Sequence, residues 1–138
     1  MNKLSLVLLG LTSALTLTAC GGGIEIEGVY NSNFGETVTI TSDTVTSVSS
    51  FGTSTSTIIE FDNGANTVIA QSSFDNLFTI SEWTEPDDAG AFAFCTRDFG
   101  LASVEAAQNS TKTVDASDLD GAGCGGFSWT RYTPTAAE

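Results

Sequence analysis

Histidine is absent from all 138 residues of the chain, and that absence removes much of the usual side-chain chemistry. Without an imidazole base, Ser-His-Asp and Cys-His nucleophilic arrangements cannot be assembled, and a common zinc ligand is missing. Basic residues are nearly as scarce. Four Lys and Arg stand against 17 Asp and Glu, giving a formal net charge of −13. Phosphate contacts need clustered Lys and Arg, so nucleic acid is excluded as a partner, and anionic lipid head groups repel such a chain. The three cysteines contain no Cys-x-x-Cys pair, which leaves little scope for metal or dithiol chemistry. The acidity itself is read as a solvated surface.

One apolar run stands out, from Leu4 to Leu17 behind the single positive charge of Lys3. It falls short of the roughly 20 apolar residues that span a bilayer, and its layout is that of an export signal. It ends in Leu17, Thr18, Ala19 and Cys20, which resemble the lipobox of bacterial lipoproteins. The resemblance implies that residues 1–19 are a signal peptide and that Cys20 is acylated, with palmitate or a similar chain, and becomes the new N-terminus. Gly21 to Gly23 then form a flexible tether, so residues 20–23 are lipidated cysteine plus spacer. Each buried CH₂ contributes roughly 0.8 kcal/mol, so several acyl chains hold firmly on a membrane. Gly21 stands where lipoproteins retained at the inner membrane carry Asp, which implies the outer membrane in a cell that has one. The expected location is the cell envelope.

Removing residues 1–19 leaves 119 residues, enough for one modest core and too few for two domains. Residues 24–132 are expected to form that domain and 133–138 a flexible tail. Its bases are Arg97, Lys112 and Arg131. Cys95 and Cys124 remain in an exported chain with only one pairing open to them, so a disulfide is expected. Closing a loop of about 30 residues contributes roughly 3.5 kcal/mol in the chain-entropy account.

The body reads as strands. Between Thr37 and Thr57, 14 of the 21 residues are Ser or Thr, with Val38, Ile40, Val45, Val48 and Phe51 among them. Such alternation suits a pleated surface with one wet face. Further candidates are 24–30, 56–61, 66–71, 77–83, 91–96 and 127–132. Asn63-Gly64 is suited to the positive φ of a tight hairpin, and 85–90 forms a longer polar turn. The spacing predicts an all-β domain: a small antiparallel meander barrel or a sandwich. One segment differs. Residues 97–108 are Ala-rich, with Asp98 placed as an N-cap and Leu101, Val104 and Gln108 at helical spacing, so a short helix is expected near 101–108, and the disulfide is expected to pin both this helix and the Gly-rich 121–126 against the barrel.

Gly28-x-Tyr30 in the first strand resembles the Gly-x-Trp motif that opens lipocalin-like barrels, with Tyr replacing Trp. The resemblance implies barrel closure by Gly28, Tyr30 and a basic residue on the last strand, Arg131, packed across the Tyr30 ring. "FDN" (61–63), the Trp83 strand and "GCGGFSW" (123–129) together resemble a group of small bacterial secreted proteins without assigned activity.

No catalytic pair is marked among the carboxylates, and no enzyme activity or cofactor is expected. Asp118, Asp120 and Gly121 match part of an EF-hand loop, but Ala116 and Phe127 occupy two ligand positions, so the motif fails. A looser calcium cage from Asp115, Asp118 and Asp120 is weighed against a plain acidic loop, and no metal site is assigned. Two functions remain. The first is an anchored, non-catalytic structural or protein-interaction module. The alternative is lipocalin-like binding of a small apolar ligand among Phe92, Phe94, Trp83 and Trp129.

Overall fold

A computed structural model describes residues 22–136. Eight strands follow in chain order: β1 (Gly28–Ser32), β2 (Thr37–Ile40), β3 (Thr44–Ser49), β4 (Gly52–Asp62), β5 (Thr67–Ser72), β6 (Phe78–Trp83), β7 (Phe92–Leu101) and β8 (Thr130–Pro134). Each pairs antiparallel with the next, and β8 returns to β1, so the sheet closes into a small lipocalin-like meander barrel. Closure leaves no strand edge open. Of the two architectures compatible with the sequence, the barrel is the one formed.

The pleat decides what fills the barrel. Val38 pairs with Ser47 and Ser47 with Ser54, while the intervening Thr39, Thr46 and Thr55 form the adjacent outward row. On β2 to β4 the outward face is Thr and Val in water, which is why these strands alternate so cleanly in sequence. On β5 and β7 the alternation disappears. Val68, Ile69 and Ala70 are all buried, as are Ala91, Phe92 and Ala93. These strands are covered on both faces, inside by the core and outside by a second layer.

That second layer has two parts. Helix α1 (Val104–Gln108) lays Ala107 onto Ile69 and Ile80, with Phe78, Leu101 and Val104 around them. The loop that follows packs Val114, Leu119 and Cys124 onto Ala93, Cys95 and Trp129. Cys95 and Cys124 are bonded, with their Cα atoms 5.6 Å apart. The disulfide therefore clamps this loop, rather than the helix, to the outer face of β7.

Four boundaries differ from the sequence reading. The first strand begins at Gly28, because Ile24–Glu27 form a turn instead, closed by the Glu27 N–H donating to the Ile24 carbonyl at 3.1 Å. The helix is shorter than expected, since β7 runs on through Leu101; Ser103, not Asp98, caps it by accepting from the Ala106 N–H. In the β4–β5 turn the Asp62 carboxylate accepts from the N–H groups of Gly64 and Ala65, and the positive φ falls on Asn66. Finally, β8 continues through Thr133 and Pro134, and the Thr135 N–H donates to the Val29 carbonyl, so the assigned tail begins inside the fold.

Candidate functional site: the open end of the barrel

An up-and-down meander sends alternate connections to opposite ends. The β1–β2, β3–β4 and β5–β6 turns share one end; the β2–β3, β4–β5 and β6–β7 turns share the other with the entering chain. The entry end is sealed. Ile24 and Ile26 are buried in the same cluster as Tyr30, Ile40, Val68 and Trp83. The Trp83 indole N–H donates to the Glu25 carboxylate at 2.6 Å, and the Asn63 amide in the β4–β5 turn bridges the Glu25 N–H and the Gly23 carbonyl. Above this plug Tyr30, Phe92 and Tyr132 pack edge to face, with Phe92 5.0 and 5.4 Å from the two tyrosine rings. The wall's own side chains thus fill the apolar half of the interior.

Gly28 and Tyr30 meet as the sequence motif implies. A Cβ on Gly28 would lie 2.8 Å from the Tyr30 hydroxyl, so only glycine admits the ring there. That hydroxyl lies 3.1 and 3.2 Å from the carbonyls of Ile26 and Glu27, tying the motif to the plug. Arg131 does not join them. It shares the face of Trp129, as period two requires, but that face is the outer one. Trp129 is buried beneath the clamped loop, Arg131 is exposed and reaches Asp87 at 3.4 Å, and Tyr132 takes the inward place, its ring stacked 6.2 Å from that of Tyr30. Both Trp129 and Tyr132 are apolar and buried, so alternation alone could not say which faced inward. Cys20 lies outside the described residues.

Two carboxylates of the acidic loop, Asp115 and Asp118, are engaged within the loop itself. Asp115 accepts from the Ser117 N–H and hydroxyl, which hold its carboxyl below the usual range, and Asp118 accepts from the Ala122 N–H. Among the described residues no three His, Cys, Asp or Glu side chains gather as a metal site would require.

The opposite end is built differently, and it carries a feature missed in the sequence. The three turns there read Ser32-Asn33-Phe34, Ser49-Ser50-Phe51 and Ser72-Ser73-Phe74. In each, the serine hydroxyl accepts from the phenylalanine N–H two residues on, at 3.2, 3.1 and 3.2 Å. This local bond turns the chain outward and presents the ring to solvent. The three phenylalanines are 64, 100 and 94% exposed. Scattered exposed apolar residues need no explanation, but the same device on all three hairpin turns of one rim does. The repeated Ser-x-Phe triplet was the signal.

Inside this rim the barrel is polar. Glu36 and Ser47 share the inward face of Val38, and Ser49 and Ser54 continue it, around a cleft of about 200 Å³ walled by Phe51. Deeper, the Ser81 hydroxyl donates to that of Thr96 at 3.0 Å. Burial, and then the nearby Glu36 carboxylate, push the Tyr132 phenol up to about 12. Tyr132 is thus the neutral floor between the wet and apolar halves. A second cleft, of about 430 Å³, lies outside the wall beside α1; there Gln108 donates to Glu60 and Arg97 to Glu82, while the Arg97 Nε is buried without a partner among the described residues.

Comparison of the chain with models of known protein families, with curated proteins and with solved structures finds no match in any of the three.

Proposed function

We propose that the chain is a lipid-anchored protein of the cell envelope, on the outer membrane where one exists, whose non-catalytic barrel is an interaction module working through its open end. The observation that carries this reading is the set of three Ser-x-Phe turns, each pinned by the same hydroxyl–amide bond and together placing three exposed rings on one rim. Exposed aromatic rings give a contact surface large apolar area at small conformational cost. The entering chain lies at the plugged end, so a lipid at Cys20 directs the rim away from its own membrane. The alternative of a small apolar ligand in the core is disfavoured by the aromatic packing that already occupies it.

The test joins both halves of the reading. Growth with labelled palmitate should mark the protein and its Phe34→Ser, Phe51→Ser, Phe74→Ser triple variant equally, and should not mark Cys20→Ser. Chemical crosslinks to envelope components should be lost in the triple variant alone. Palmitate label on Cys20→Ser, or unchanged crosslinks in the triple variant, would contradict it.

A further inference from the structure

We infer that the mouth of the barrel is a binding site for a neutral saccharide, which makes a glycan the partner of the open end. The inference rests on the preceding reading that this end is the contact surface and adds the chemistry of what is contacted.

The mouth combines three features. Phe51 offers a fully exposed ring at its edge, and Phe34 stands on the neighbouring turn. The inward hydroxyls of Ser47 and Ser54 line the cleft, and no other described residue engages them. The Glu36 carboxylate is likewise without a hydrogen-bond donor from the described side chains; only its backbone is tied, its N–H donating to the Ser32 hydroxyl at 3.1 Å. The site thus holds one acidic acceptor, two unengaged hydroxyls that both donate and accept, and one flat apolar wall.

A pyranose ring has the matching anatomy. One face presents C–H groups and stacks on an aromatic ring; its edge carries hydroxyls that each donate and accept. A hydrocarbon ligand would cover the serines and Glu36 without replacing their water, leaving those polar groups unpaired. An anion would meet Glu36 with no compensating base, because Asp43 is the sole charged residue from Thr37 to Ile59. A small cation would satisfy Glu36 and stack on Phe51, yet would leave the hydroxyl row unused. About 200 Å³ of open space suits one ring of a chain whose next unit reaches the rim phenylalanines. A shallow, solvated site of this kind predicts weak binding, with Kd on the order of 1 mM, strengthened where several copies on one membrane meet one polymer.

The experiment is an amide chemical-shift titration of the isotope-labelled full-length protein, in zwitterionic micelles free of sugar head groups. The probes are cellotetraose, the tetramer of N-acetylglucosamine, and choline. Saturable shifts at 36 and 47–54 with at least one tetrasaccharide are expected. Phe51→Ala, and separately Ser47→Ala with Ser54→Ala, should weaken binding about tenfold while leaving the remaining spectrum unchanged. Shifts with choline alone, shifts centred on Glu60 and Gln108 in the outer cleft, or no response to either tetrasaccharide up to tens of millimolar would overturn the inference. In that last case, crosslinks still lost in the triple phenylalanine variant would leave the open-end reading standing; if those crosslinks also persisted, both would fall.

Discussion

At the entry end of the barrel, an apolar pair, Ile24 and Ile26, is folded under the strands and locked by the Glu25–Trp83 hydrogen bond. At the other end, Phe34, Phe51 and Phe74 stand exposed on the turns, with Phe51 beside a row of serines that water can reach. The same residue classes are used in opposite ways. Apolar side chains at the plugged end exclude water and stabilise; at the rim they are held in water by local serine bonds that hold each ring in place while burying little of it. The difference teaches that this small domain concentrates its stability at one end and leaves the other free to make contact.

The largest effect should come from the plug. Trp83→Ala removes a buried ring and the plug's hydrogen bond to Glu25, so denaturant unfolding should show a loss of about 3–5 kcal/mol. Next comes the clamp on the outer layer. Peptide mapping without reductant should recover Cys95 joined to Cys124, and reduction should cost about 3.5 kcal/mol for a separation of 29 residues, read as a lower melting temperature.

A smaller, pH-dependent effect belongs to the strap between β7 and the outer loop. Asp98 accepts from Lys112, from the Ser110 hydroxyl and from the Phe99 N–H; these bonds, Lys112 first, hold its carboxyl below the usual range. Its folded pKa is below its unfolded one, so the stabilisation is present above the ordinary carboxylate value of about 4 and is lost as the pH falls through the lowered value. Acid titration of Lys112→Ala should show less of this loss than the parent protein. The smallest effect is expected at the rim: Phe34→Ser, Phe51→Ser and Phe74→Ser should each change stability by less than about 0.5 kcal/mol. A large loss there would break the contrast between the ends.

How much of this was legible in the sequence differs by region. Strands β2 to β4 could be read directly, because their outer face is bare and Thr39, Thr46 and Thr55 therefore alternate with an inward row. The end of β7 reads as helix in the sequence because Leu101 and Val104, both half-buried against the outer wall, have a spacing that imitates one helix face. The Gly28–Tyr30 contact followed from a local motif. The partner on β8 did not, since Trp129, just before the strand, and Tyr132 within it face opposite sides and each is buried by a different layer. The rim was present as three Ser-x-Phe triplets, but only the meander shows that all three turns point the same way.

The division of labour between the two ends is tested most directly by a photo-reactive amino acid placed singly at positions 34, 51 and 74, and at 63 in the plugged end, in the full chain expressed in its own cells. Adducts to envelope proteins or polymers from the three rim positions, with nothing beyond the lipid of the anchoring membrane from 63, are expected. Adducts from 63 with silent rim positions would contradict it.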